Sequence, residues 1–257
     1  MTATVADVHA LDAFDDLDLV DALPPHRAVR EHTRRILGLP AGLGVDIGCG
    51  SGSVVADLVD RGVRAVGVDA SEAVVDEAAR RFPHCCYQMA DAAHLPFDDG
   101  ALGWYRAEQV FQYATDPAGL LREARRVVTP GGRVLLADRD FDTWAMDADD
   151  AAMTRILVRG FAGSLPNGRA GTRAVAMLVD AGFVDVRVRP VPLVYDSLAP
   201  VLPGFVTPAV DLAVGTGRVS AHNARAWLAD QHRRSGTGRF LMTMSMFVTT
   251  AVAPVAG

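Results

Sequence analysis

Residues 43–52, Leu-Gly-Val-Asp-Ile-Gly-Cys-Gly-Ser-Gly, leave few choices for the chain around them. The apolar run from Leu43 to Ile47 carries one acid, Asp46. Gly48, Gly50 and Gly52 then crowd into five residues before a helical pattern of Val54, Val55, Leu58 and Val59 begins. The order reads as strand, tight turn, helix. Glycine tolerates the positive φ that such a turn needs, and without a Cβ it lets a ligand lie against the main chain. A nucleotide-like ligand suits this turn.

Spacing and charge narrow the ligand. A dinucleotide fingerprint wants G-x-G-x-x-G, but the third position after Gly50 is Ser53. Asp46 would oppose a pyrophosphate by like charge, whereas it attracts a ligand bearing an ammonium and a sulfonium. S-adenosylmethionine is such a ligand. Val45–Gly52 resembles the first motif of the class I S-adenosylmethionine-dependent methyltransferases.

Composition agrees with a small-molecule enzyme. The chain has 257 residues, 50% hydrophobic and 22% charged, enough for one large α/β core with a cap. A net charge of -6 offers no general attraction to nucleic acid or anionic lipid. All 25 basic residues are arginine, which excludes Schiff-base chemistry and the phosphate-binding lysine of a P-loop. Cys49, Cys85 and Cys86 form neither a disulfide framework nor a metal-ligand spacing, so no metal is expected and the cytosol is the natural compartment. The acidic start (Asp7, Asp12, Asp15, Asp16, Asp18) and the lack of an 18-residue apolar run argue against a signal peptide and a membrane span.

Along the chain, residues 1–38 read as a frayed end and cap helices, the second starting at Pro24-Pro25 and ending at Gly38. In the family that the sequence resembles, this helix closes over the methionine end of the cofactor, which implies Arg30 or Arg27 as a carboxylate partner. Arg64–Asp69 forms a second strand whose terminal acid can accept both ribose hydroxyls, and Ser71 caps the next helix. Cys85–Met89 suits a third strand followed by Asp91-Ala92, which the resemblance places at the adenine, and Ala101–Arg106 a fourth. The segment Arg106–Tyr113 with Asp116-Pro117 resembles a small-molecule subgroup near the quinone C-methyltransferases. There, a histidine usually precedes the Asp-Pro; here Tyr113 takes that place. A helix through Leu120–Val127 ends at Thr129-Pro130-Gly131-Gly132, and Arg133–Asp138 gives a fifth strand. Asp138–Trp144 is then expected as a loop over the substrate, its acids and Arg139 orienting a polar acceptor or binding a cation. Residues 149–182 read as helical and 183–191 as a sixth strand. A lid insertion at 196–238 follows, then a closing antiparallel strand at 240–252, at the end of the sheet.

The expected fold is a Rossmann-like, doubly wound, seven-stranded sheet in a single methyltransferase domain: core 39–138, remainder of the sheet 139–195, closing segment 239–257. The resemblance implies a cofactor set of Arg30, Asp46, Gly48, Cys49, Gly50, Gly52, Asp69, Ala70, Asp91, Ala92 and Arg106. It also implies methyl transfer from S-adenosylmethionine, with S-adenosylhomocysteine as product, to a small organic acceptor in a biosynthetic pathway. A hydroxyl or protonated amine acceptor requires a base, for which His26 and Tyr113 are the candidates, with His222 behind them. The partners expected are a small molecule and, in a homodimer, a second copy; nucleic acid and membrane are not. Three alternatives stay open: a cofactor-binding cage that cyclises or rearranges its substrate without methylating it, a nicotinamide oxidoreductase, and a nucleic-acid or protein methyltransferase, which the charge and the lack of an Asn-Pro-Pro-aromatic run after the fourth strand disfavour.

Overall fold

The computed structural model describes residues 23–38 and 40–255. The expected first cap helix, before Pro24, lies outside them. Helix α1 (Pro24–Leu37) starts with proline in its first turn, where a missing N–H costs nothing, and ends at Gly38 with φ 68°. Strands β1 (Leu43–Ile47), β2 (Arg64–Asp69), β3 (Cys86–Met89), β4 (Leu102–Glu108) and β5 (Val128–Met146) follow, with α2 (Ser53–Asp60), α3 (Glu72–Arg81) and α4 (Pro117–Val127) between them. Ser71 caps α3 through its hydroxyl and Asp116 caps α4 through its carboxylate. Helices α5 (Ala151–Ser164) and α6 (Ala170–Asp180) lead to β6 (Val184–Tyr195). A π turn (Leu202–Val206), α7 (Thr207–Gly215) and α8 (Ala221–Gly236) come before β7 (Met242–Val252).

The seven strands are ordered β3-β2-β1-β4-β5-β7-β6, parallel except where β7 runs against both neighbours. The chain reverses direction across the sheet between β1 and β4, which opens a crevice at their carboxyl ends. Each face buries its own apolar cluster. Val29, Val55, Leu58, Trp104 and Leu135 pack under α1 and α2, while Val45, Tyr105, Leu136, Leu121 and Leu178 pack under α4 and α6. At Gly44 a Cβ would sit 2.0 Å from the Trp104 ring, so the backbone must be bare there for the core to close.

Four expectations are corrected. Residues 138–144 are not a loop: β5 runs on to Met146, paired with β7 across a bulge between Asp140 and Ala145. The helical reading of 149–182 breaks into α5 and α6 around Pro166-Asn167-Gly168, where proline lacks an N–H and a Cβ on Gly168 would collide with the Ala162 carbonyl at 2.1 Å. The closing strand is not at the sheet's end. With Met242, Met244, Met246 and Val248 all buried, β7 lies inside the sheet, and β6 takes the edge, where Pro190 and Pro192 are tolerated. Finally, β4 extends to Glu108 and β6 to Tyr195, each beyond its expected end.

The segment between β6 and β7 packs against α5 through α7 and α8. Trp227 Nε1 donates to Thr154 Oγ1 at 3.0 Å. Asp230 accepts from the Asp149 amide at 3.0 Å, and Arg234 bonds Asp147 at 2.5 Å and Asp149 at 2.6 Å. The cap is thus fastened to the end of β5.

Candidate active site

The glycine turn lies at the mouth of the crevice. Gly48, Gly50 and Gly52 have φ of 64°, 51° and 78°. The Gly48 and Cys49 amides both donate to the Val68 carbonyl, at 2.8 and 3.1 Å, which ties the turn to β2. Tyr87 props it from β3, its hydroxyl donating to the Gly52 carbonyl at 2.8 Å. A Cβ on Gly50 would meet nothing within 4 Å, so the turn is open on the side where a ligand would approach. Cys49 is buried, and burial together with Asp46 and Asp69 keeps its thiol protonated.

Asp69 closes the other side. Its two carboxylate oxygens accept from the Gly50 amide at 3.2 Å and the Ser71 amide at 3.1 Å. Each oxygen keeps a second lone pair, which suits a diol. Ala70 beside it is exposed. Met89, opposite Asp69 in the β2–β3 register, leaves 54% of its surface to solvent and offers an apolar wall. Asp91 is exposed and accepts from the Ala93 amide at 2.9 Å; Ala92 is half-buried.

Asp46 and Arg106 sit otherwise than a direct ligand role needs. The β1–β4 register puts them side by side, and the guanidinium bonds the Asp46 carboxylate at 2.5 Å with both side chains almost fully buried. Burial pushes the Asp46 carboxyl up, against the pull of Arg106. The other arm of Arg106 bonds Glu108, whose side chain is 13% exposed. Two carboxylates and one guanidinium leave one net negative charge, and Glu108 is the member nearest the solvent. No local sequence signal marks Glu108 for this role. The positive φ of Gln109, 59°, next to it marks the strained end of β4.

On α1, Arg34 bonds Asp57 of α2 at 2.8 Å. Arg30 is half-buried one turn before Arg34 on α1, while Arg27 is exposed. His26 is buried, its Nε2 2.8 Å from the Tyr195 hydroxyl. Burial, then Arg139 and Arg30, depress its pKa to about 3, so it is neutral and a weak proton acceptor at neutral pH. Tyr113 ends the 3-10 turn Phe111–Tyr113 after β4 and is half-buried; His222 is exposed on α8. The structure pairs His26 with Tyr195, within the field of Arg139 and Arg30.

The acids of residues 138–142 are engaged, Asp138 through one oxygen only. Asp138 accepts from the Gln112 amide at 3.1 Å, Asp140 takes the Thr172 hydroxyl and the Asp142 amide, and Asp142 faces Arg169 at 3.3 Å. Among the described residues no group of three or more His, Cys, Asp or Glu is arranged around a metal. Burial raises the Asp138 carboxyl to about 7, opposed by the Gln112 amide and Arg139. The sign follows: between its unfolded value near ~4 and 7 the folded state holds the extra proton, so this group's contribution to stability falls as pH rises. His26 acts oppositely, losing stability as pH falls from 6.5 toward 3. Asp138→Asn is therefore expected to remove a decline approaching about 1.4 kcal/mol per pH unit from the wild-type curve between about pH 4 and 7. Urea unfolding of both proteins across that range measures it, and parallel curves would refute it.

A doubly wound sheet with an acid-flanked glycine turn at its switch point defines an adenosyl-binding enzyme. The chain matches the family described as "Methyltransferase domain" over residues 45–136. It is 30% identical over 251 residues to an uncharacterized 37.1 kDa protein in transposon TN4556 of Streptomyces fradiae, covering 93% of this chain and 72% of that one. It is 34% identical over 140 residues to demethylmenaquinone methyltransferase of Beutenbergia cavernae, covering 51% of this chain and 58% of the relative's length. Haemonchus contortus phosphoethanolamine N-methyltransferase 2, solved with phosphomonomethylethanolamine and S-adenosylhomocysteine, superposes with a TM-score of 0.63 at 14% identity, over 99% of this chain and 61% of that one. The chain belongs to the class I S-adenosylmethionine-dependent methyltransferases. It is a methyltransferase whose cofactor is S-adenosylmethionine, and the nicotinamide alternative falls away.

Proposed function

We propose that the enzyme methylates a small, largely apolar acceptor in a biosynthetic pathway in the cytoplasm. One observation carries this reading: a buried aromatic cluster under the cap. Phe141 and Trp144 of β5 meet Phe161 of α5 at 5.3 and 5.7 Å between ring centroids, and Phe205 of the π turn at 6.5 and 6.1 Å. These rings follow the carboxyl end of the parallel part of β5, two strand intervals, or about 10 Å, from β1. Relatives whose names specify a quinone precursor or phosphoethanolamine as acceptor add support for a small substrate. A net charge of -6 disfavours nucleic acid, and no described helix is long and apolar enough to cross a membrane. A homodimer is compatible with the exposed edge strand β6.

In this reading the cofactor, when bound, supplies an electrophilic methyl group. The Gly48–Gly52 turn and Asp69 hold the adenosyl half, with Met89 and Asp91 beside the base. Arg30 faces the methionine carboxylate. The Asp46–Arg106–Glu108 triad presents negative charge toward the cationic end. The cap orients the acceptor and excludes water, which is most of what an in-line displacement asks of a protein. His26, neutral and bonded to Tyr195, positions rather than deprotonates, so an acceptor that is nucleophilic on arrival fits best. The test is mass spectrometry of products after incubating the chain with S-adenosylmethionine and a panel of small aromatic and isoprenoid acceptors. A gain of about 14 daltons with stoichiometric S-adenosylhomocysteine is expected, since a displacement moves one methyl per turnover. An isomeric product of unchanged mass would point instead to a rearranging cage.

A further inference from the structure

Arg139 is 4% exposed, and its Nε has no hydrogen-bond partner among the described residues. Its guanidinium carbon lies 5.2 Å from the centre of the Phe205 ring, a cation–π contact worth roughly 0.5–2 kcal/mol. That is less than the several kcal/mol needed to bury a cation without an anion. Of the nearby acids, Asp138 feels Arg139 but burial raises its carboxyl to about 7, Asp140 is taken by Thr172 and the Asp142 amide, and Asp142 pairs with Arg169. The groups around Arg139 on the cap side are instead neutral or positive. His26 is held uncharged, with Arg139 and Arg30 both acting on it, and its Nε2 meets the Tyr195 hydroxyl at 2.8 Å. Tyr195 also feels Arg139.

We propose that Arg139, with Tyr195 and His26, forms an oxyanion subsite that receives a carboxylate or phosphate group of the acceptor while the Phe141–Trp144–Phe161–Phe205 rings hold its apolar body. This rests on the methyl-transfer reading of the neighbouring crevice. The guanidinium fork supplies two parallel donors to a planar or tetrahedral oxyanion, and the Tyr195 hydroxyl supplies a third. Phe205 stacks on the guanidinium and keeps water from it, which strengthens the pair when it forms. The acceptor class is therefore an amphiphile: an aromatic or isoprenoid body with one anionic oxygen group.

The experiment uses the whole chain saturated with S-adenosylhomocysteine, titrated calorimetrically with 2-naphthoate, 2-naphthyl phosphate and the neutral 2-naphthamide. At least one of the two anions is expected to bind at least about tenfold more tightly than the amide, as a charge-assisted pair should. The preferred anion, carboxylate or phosphate, identifies the group. Arg139→Met should reduce that anion to the level of the amide while S-adenosylhomocysteine affinity stays within about twofold, because no cofactor contact is lost. Tyr195→Phe should weaken it by about three- to tenfold. Equal binding of anions and amide, anion affinity weaker than about 10 mM, or an unchanged Arg139→Met titration would overturn the assignment. If Arg139→Met does not fold, the wild-type discrimination and Tyr195→Phe decide the matter. Failure of S-adenosylhomocysteine to bind the wild type would bring down the methyl-transfer reading, and this subsite with it.

Discussion

Arg106→Met is expected to lower the unfolding free energy by about 3–5 kcal/mol, the range for removing one partner of a buried ion pair. The guanidinium is 4% exposed and bridges Asp46, 2% exposed, to Glu108 at the carboxyl ends of β1 and β4. Without it two carboxylates confront each other in a space that admits little water. Methionine fills the volume but answers neither charge. The double variant Arg106→Met with Asp46→Asn should recover a large part of the loss, because the remaining carboxylate, Glu108, is the one that reaches solvent. Guanidinium denaturation midpoints measure both. A single variant as stable as wild type would mean the triad does not hold buried charge, and its role toward a cationic cofactor would go with it.

Asp69→Asn is expected to weaken S-adenosylhomocysteine binding by roughly 100-fold, since charge-assisted hydrogen bonds are worth about 1.5–3 kcal/mol each and more than one is affected. The carboxylate accepts from the Gly50 and Ser71 amides while keeping lone pairs for ribose hydroxyls, and an amide has only one oxygen for all of these. Because Asp69 is half-buried at a strand end, the melting temperature of the ligand-free protein should change little. Calorimetric titration beside a thermal melt separates the two effects. Affinity within about twofold of wild type would remove ribose recognition from Asp69 and with it the central contact of the crevice.

The residues proposed for the cofactor half of the site carry local signals. A glycine turn, the acid ending β2 and the acid after β3 each announce themselves within a few residues, and strand-to-helix alternation sets them at one end of a parallel sheet. Those of the proposed acceptor half do not. Arg139 looked like a loop residue because residues 138–144 mix acids with aromatics, yet pairing with β7 draws that segment into the sheet. Tyr195 lies 169 residues from His26, and no periodicity links them. Glu108 drew no role because a carboxylate two residues past an arginine on one strand is common; only the β1–β4 register turns it into the outer member of a triad.

By itself the sequence determined the α/β alternation, the positive-φ glycine turn after β1, the caps of α3 and α4 and the absence of lysine chemistry, since each depends on residue type and near neighbours. Tertiary structure alone decided that β7 lies inside the sheet and β6 at its edge, that Asp46 is answered by Arg106, and that the buried Arg139 guanidinium lies over the Phe205 ring. Burial and charge compensation depend on which distant segments share a low-dielectric space. The folded chain creates that space, and no window of the sequence contains it.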